Sequence, residues 1–139
     1  MNLTCLPRSR IVLADDHRAM LVAVETLLKP DYDVVSSVGD GQALVEAVEE
    51  LSPDVVVADI SMPHMTGLEA ASQVRDLGSK TKVVFLTIQG APEFVRAALA
   101  TGALGYVLKY RLASDLPLAI KAALSGRRFI SPPLAEPLL

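Results

Sequence analysis

Short apolar runs alternate along this chain with longer amphipathic stretches. The runs occupy residues 11–14, 33–37, 55–58, 83–86 and 105–108. Three of them are rich in Val, Ile and Leu without alternation, as strands buried on both faces of a parallel sheet should be. Between the runs the period becomes helical. Met20, Leu21, Val24, Leu27 and Leu28 fall on one face, and Lys29-Pro30 stops that segment. Leu44, Ala47, Val48 and Leu51 form a second stripe, entered through Asp40-Gly41 and left at Ser52-Pro53. Leu68, Ala71 and Val74 mark a third, ending near Gly78. Phe94, Val95, Ala98 and Leu99 mark a fourth, ending at Gly102. Leu116, Ile120, Ala123 and Leu124 mark a fifth, ending at Gly126. Strand and helix alternate five times, which predicts an open α/β fold with helices on both faces of a parallel sheet. Residues 1–9 read as an N-terminal tail, 10–126 as the domain, and the proline-bearing residues 127–139 as a linker or truncated C-terminal end.

Composition narrows the picture. A chain of 139 residues is the size of one domain. Hydrophobic residues make up 51% and charged residues 21%, the opposite of a disordered chain. No stretch approaches ~18 apolar residues without a charge, so no membrane association is expected. The apolar surplus is expected in elements covered on both sides. Thirteen Lys and Arg against sixteen Asp and Glu give a net charge of -3, and no basic run suggests a nucleic-acid surface. The single cysteine, Cys5, cannot form an internal disulfide, and residues 1–7 lack the basic and apolar regions of a signal peptide. Both features point to the cytoplasm.

Open α/β sheets bind ligands beyond the carboxyl ends of their strands. Asp15 and Asp16 follow the first run, Asp59 the third, Thr87 the fourth and Lys109 the fifth. Three neighbouring carboxylates repel one another and need a cation. Oxygen-only ligands suit a hard ion, Mg²⁺ above all where a phosphate is present. A Lys and a Thr opposite them can hold phosphoryl oxygens, and a carboxylate in such a site can become an aspartyl-phosphate. Each residue also has a plainer reading. Asp15-Asp16 can cap a helix, Asp59 a turn before Met62-Pro63, and Thr87 a loop, while Lys109 can be a solvated charge. The placement of all five at strand ends favours the joint reading.

Four ordered segments carry a resemblance. They are Val12-Leu13-Ala14-Asp15-Asp16-His17, the stretch from Asp54 through Asp59-Ile60-Ser61-Met62-Pro63 to Gly67, Val84-Phe85-Leu86-Thr87, and Gly102 through Tyr106 to Lys109. Through them the chain resembles the receiver domain of bacterial two-component response regulators, in particular the LuxR/NarL-type subfamily, over residues from about Ile11 to Phe129. The resemblance implies a flavodoxin-like, doubly wound five-stranded parallel sheet of order 2-1-3-4-5 with five helices. It implies that Asp59 accepts a phosphoryl group from a sensor histidine kinase. Asp16, Asp59 and the backbone carbonyl of Ser61 would hold Mg²⁺ directly, with Asp15 acting largely through water. Lys109 and Thr87 would contact the phosphoryl oxygens. Tyr106 would be a switch, its ring turning from exposed to buried as Thr87 moves inward, and the output face would be the fourth helix, fifth strand and fifth helix.

Ser61, Ile88 and Gln89 occupy positions expected to tune phosphoryl exchange and lifetime. Ile88 is bulkier than the small residue common there, and Tyr110 replaces the Pro or Asp often found after the lysine. The resemblance also implies a possible homodimer on phosphorylation, and DNA contact only through a C-terminal domain outside this chain. The sequence leaves open whether the receiver stands alone or is a fragment of a transcription regulator. It implies no enzyme activity beyond self-catalysed phosphoryl transfer and slow self-dephosphorylation. Competing readings are weaker. An Asp-nucleophile phosphatase wants a second acid where Ser61 stands, and a flavin protein wants a Ser/Thr/Gly-rich loop after the first strand. A phosphate-independent binding module remains the alternative. His17 and His64 are expected to lack ligand partners, Met20, Met62 and Met65 to serve packing, and Cys5 to be incidental.

Overall fold

The computed structural model describes residues 7–135. The first six residues of the expected tail, including Cys5, and residues 136–139 lie outside them. Chain order runs β1 (Arg10–Ala14), α1 (Arg18–Leu28), β2 (Asp33–Val38), α2 (Gly41–Leu51), β3 (Val55–Ala58), α3 (Gly67–Asp76), β4 (Lys82–Thr87), α4 (Pro92–Ala100), β5 (Gly105–Leu108), α5 (Leu112–Leu124), β6 (Phe129–Ile130) and α6 (Pro132–Ala135). One 3-10 turn, Lys109–Arg111, leads from β5 into α5.

All strand pairs are parallel, in the order β2-β1-β3-β4-β5-β6. The inner strands read as continuous apolar runs because alternate residues enter two separate cores. Val12, Val56, Phe85 and Tyr106 face the side covered by α2, α3 and α4. Ile11, Leu13, Val57, Val84, Leu86 and Val107 face the side covered by α1 and α5. β2 is an edge strand and is only half-buried, which explains its polar Ser36 and Ser37. Met62 lies in the first core, with Met65 packed against it, and Met20 packs against the second. These methionines serve packing, as expected.

The five-strand count needs correction. Among the described residues the sheet has six strands and the chain six helices. β6 pairs Phe129 with Gly105 and Ile130 with Tyr106, so β5 is an inner strand and is buried throughout. Two residues are too few to show any strand period, which hides this element in the sequence.

Local chemistry sets the helix starts near the carboxyl edge of the sheet. Asp40 caps α2 by accepting the Ala43 N–H at 2.8 Å. Thr66 and Glu69 form a reciprocal capping box at the start of α3. Pro92 opens α4 at a position where no N–H is missed. Two glycines then close the loop between β3 and α3 onto its neighbours. A Cβ on Gly67 would collide with the Asp59 carbonyl, and one on Gly41 with the Met65 carbonyl. The Gly67 N–H donates to Ile60 at 2.7 Å and the Gly41 N–H to Met65 at 3.0 Å. This close packing fixes the loop that follows Asp59.

Candidate functional site

Parallel strands end together, so the residues that follow them meet at one edge. Backbone bonds hold the first two in register. The Asp15 N–H donates to Val38 and the Asp59 N–H to Ala14, both at 3.0 Å. Their side chains point into the edge and are buried, at 5% and 7% exposure.

Lys109 joins them. Its Nζ lies 2.8 Å from Asp15 Oδ2 and 2.8 Å from Asp59 Oδ2. The lysine side chain is only 10% exposed, so the solvated-charge reading does not apply. Burial alone pulls the Lys109 ammonium down. Hydrogen bonds and charges from Asp15 and Asp59 outweigh that and raise it above its ordinary value. The other oxygen of Asp59, Oδ1, accepts the Ser61 N–H at 3.3 Å.

Asp16 is the outer acid, exposed toward solvent. Here the expectation for His17 is corrected. Its Nδ1 lies 3.3 Å from Asp15 Oδ1 and 3.2 Å from Asp16 Oδ1, and ligand atoms of all three residues fall within 4.8 Å of one another. The His17 N–H also donates to Asp15 Oδ1 at 2.9 Å. Asp15 therefore shapes the turn into α1, while His17 itself occupies the cap position. The sequence signal was adjacency in Asp15-Asp16-His17, which separates donors from bystanders only once the turn is known.

Thr87 is fully buried at the end of β4, and its hydroxyl accepts the Gln89 N–H at 3.2 Å. That bond is the loop cap that the plainer reading expects. Gln89 is tied a second time, its carbonyl accepting the Tyr106 hydroxyl at 2.6 Å. The Tyr106 ring is already buried. Burial and the nearby Asp59 charge push its phenol well above the usual tyrosine range. Ile88 and Tyr110, adjacent to Thr87 and Lys109, are each 76% exposed.

The structure thus brings Asp15, Asp59 and Lys109 into direct contact, with Asp16 and His17 against Asp15. Thr87, Gln89 and Tyr106 form a second linked set beside them. Two carboxylates, Asp15 and Asp59, share one lysine and Asp16 stands next to them, so negative charge is in excess. The donors are hard oxygens, joined by one imidazole. This set fits a small divalent cation of the Mg²⁺ type. Among the described residues no helix is long and apolar enough to cross a membrane.

Residues 11–121 match the response regulator receiver domain family. The transcriptional regulatory protein DesR of Bacillus subtilis is 37% identical over 130 residues, covering 92% of this chain and 64% of DesR. The nitrate/nitrite response regulator protein NarL of Escherichia coli is 34% identical over 130 residues, covering 92% of this chain and 60% of NarL. The chain therefore spans about six-tenths of the length of these relatives. A LuxR-family two-component response regulator from Aurantimonas sp. SI85-9A1 superimposes with a TM-score of 0.88 at 33% identity, covering 93% of this chain and 94% of that one. This chain belongs to the response regulator receiver domains of two-component systems, and its relatives are LuxR-family regulators of the NarL and DesR type.

Proposed function

We propose that Asp59 is the phospho-acceptor of a signalling switch. The observation that carries this reading is the pair of buried carboxylates, Asp15 and Asp59, sharing one buried lysine. A buried ion pair meant only for stability would match charge for charge. Here a second and a third carboxylate are left for a cation and a phosphoryl group to satisfy.

In the reaction, an Asp59 carboxylate oxygen attacks phosphorus on a sensor histidine kinase's phosphohistidine. The new O–P bond forms as the N–P bond breaks, and imidazole leaves. Asp16, Asp59 and the Ser61 carbonyl would hold Mg²⁺, with Asp15 behind them. When bound, that ion neutralises charge on the transferred group. Lys109 gives up part of its hold on Asp59 and turns to a phosphoryl oxygen. The Thr87 hydroxyl leaves the Gln89 N–H for another. Because Gln89 is also held by the Tyr106 hydroxyl, a shift of Thr87 reaches the tyrosine. Tyr106 stands inward here, one of the two positions that such a switch exchanges. Ser61, whose N–H meets Asp59, and Ile88 and Gln89, which follow Thr87, would set the ease of attack and hydrolysis.

The whole regulator would act in the cytoplasm as a transcription regulator, as the names of DesR and other relatives suggest. DNA contact would belong to a further domain, and phosphorylation would favour a homodimer. In this reading the receiver starts at residue 10 and takes in β6, which pairs with β5, so it runs past the boundary expected at residue 126.

The test is to incubate the chain with Mg²⁺ and a small phosphodonor and weigh it. One added phosphoryl is expected, absent in Asp59→Asn. No modification, under conditions that modify another receiver, would leave a phosphate-independent binding module as the better account.

A further inference from the structure

A second buried carboxylate lies outside this site. Asp115, on α5, is 2% exposed, and Ser131, just after β6, is fully buried. The Ser131 hydroxyl donates to Asp115 Oδ2 at 2.8 Å. Arg111 Nε donates to the same oxygen at 2.6 Å, and the Ser114 hydroxyl to Oδ1 at 3.0 Å. In the other direction, Ser131 Oγ accepts the backbone N–H of Leu108 at 3.1 Å. Leu108 ends β5, and the next residue is Lys109.

The ladder explains why a hydroxyl is needed there. β6 pairs only with Gly105 and Tyr106, and the Ser131 N–H donates to the Tyr106 carbonyl at 2.9 Å. The next donor along that edge is the buried Leu108 N–H. A longer strand would offer it a carbonyl. The chain instead turns into α6, and the Ser131 side chain takes the carbonyl's place. Asp115 orients that side chain by accepting its proton, which leaves the oxygen lone pairs free for Leu108. Lys109 must then reach two carboxylates at 2.8 Å from a backbone fixed one residue earlier.

We propose that Ser131, oriented by Asp115, is a positioning residue for Lys109. It acts through the Leu108 N–H and touches neither the acceptor nor any cation. Loosening it lets the end of β5 shift, and the ammonium loses its joint hold on Asp15 and Asp59. One consequence rests on the phosphoryl-transfer reading: Lys109 then meets the phosphoryl oxygens less well, so transfer slows. The carboxylates that would hold the metal are on other strands and are left in place.

Two readouts test this, and the first needs no phosphoryl group. In metal-free wild type, the Lys109 ammonium should give its own sheltered nitrogen–proton NMR signal. Ser131→Ala should lose or shift it, Ser131→Thr should keep it, and Leu134→Ala, a packing change in the same segment, should leave it. The second readout is the rate of modification by acetyl phosphate at saturating Mg²⁺. It should fall about tenfold in Ser131→Ala, as small misplacements of a reacting group do, and recover largely in Ser131→Thr. The Mg²⁺ dissociation constant should not rise, since every ligand stays and the ammonium that competes for Asp15 and Asp59 is loosened.

A folded Ser131→Ala with an unchanged ammonium signal and rate overturns the proposal. So does an equal loss in Leu134→Ala. If wild type takes no phosphoryl group, the reading of Asp59 fails while the ammonium signal still decides this one. Should Ser131→Ala not fold, Asp115→Asn keeps an acceptor oxygen for the hydroxyl and removes the charge. It should move both readouts in the same direction by less, and no movement overturns the proposal.

Discussion

Asp59 and Asp115 are both buried carboxylates, and each meets one cation. Their surroundings differ in balance. Asp115 has Arg111 to itself and accepts two hydroxyls besides, from Ser114 and Ser131. These bonds and the arginine charge outweigh its burial and hold its carboxyl below the usual carboxylate range. Asp59 shares Lys109 with Asp15 and otherwise accepts one long bond, from the Ser61 N–H. Neither acid has a bare oxygen, but Asp115 is richly bonded by the protein and Asp59 sparsely. A saturated carboxylate holds a fold together, whereas an undersupplied one is kept for something that arrives from solution.

Four measurements bear on that contrast. The largest effect is expected from Lys109→Met. It leaves Asp15 and Asp59, 5% and 7% exposed, facing each other without a counter-charge, at a cost of about 3 kcal/mol in metal-free buffer. Added Mg²⁺ should restore much of the lost melting temperature by binding the folded form. If magnesium gives no recovery, the carboxylates are not a cation site.

Next is Asp115→Ala, which leaves the Ser131 hydroxyl and Arg111 without their acceptor. A loss of about 2 kcal/mol in denaturant unfolding is expected, as for a buried charged hydrogen bond. Magnesium should add no more stability here than it does to wild type.

Asp59→Asn should go the other way. It relieves repulsion and leaves Lys109 to Asp15 alone, so metal-free stability should rise by about 0.5 kcal/mol, on the scale of one hydrogen-bond difference. A clear loss would make Asp59 a structural acid like Asp115 and erase the distinction between the two.

The smallest effect is in pH. The folded-state pKa of Asp115 is depressed, so its contribution is complete above the ordinary value of 3.8 and fades as pH falls through the lower folded value. Lys109 is raised, so its contribution is complete below 10.5 and fades as pH rises through the higher folded value. Protection from amide exchange, taken against the intrinsic rate at each pH, should therefore fall at Phe129, Ile130, Ser131 and Leu134 at the acid end. At residues 58–60 it should fall at the alkaline end.

The same contrast shows what the sequence can reveal. Asp15, Asp16, Asp59, Thr87 and Lys109 could be picked out because each directly follows an apolar run, and parallel strands end at one edge. The inner strands were legible for the same reason, since unbroken Val and Ile runs need cover on two faces. Asp115 and Ser131 gave no such signal. Asp115 reads as an ordinary first-turn acid of α5, favourable near a helix N-terminus. Ser131 sits beside two prolines after a strand of two residues, too short to show a period. Their meeting depends on α5 bringing the chain back alongside β5. The contact of His17 with both acids, and the inward stance of Tyr106, likewise depend on turn and rotamer geometry that no pattern of residue types encodes.

The lysine that bridges Asp15 and Asp59 also bears on reversibility. A pocket of bare carboxylates would be wrecked each time its ion departed, and refilling would have to await repair. With a tethered ammonium always at hand, departure leaves a tidy resting form, closed and ready. In the proposed switch the site would thus be emptied and refilled many times over, as a signal that must be erased as well as written requires.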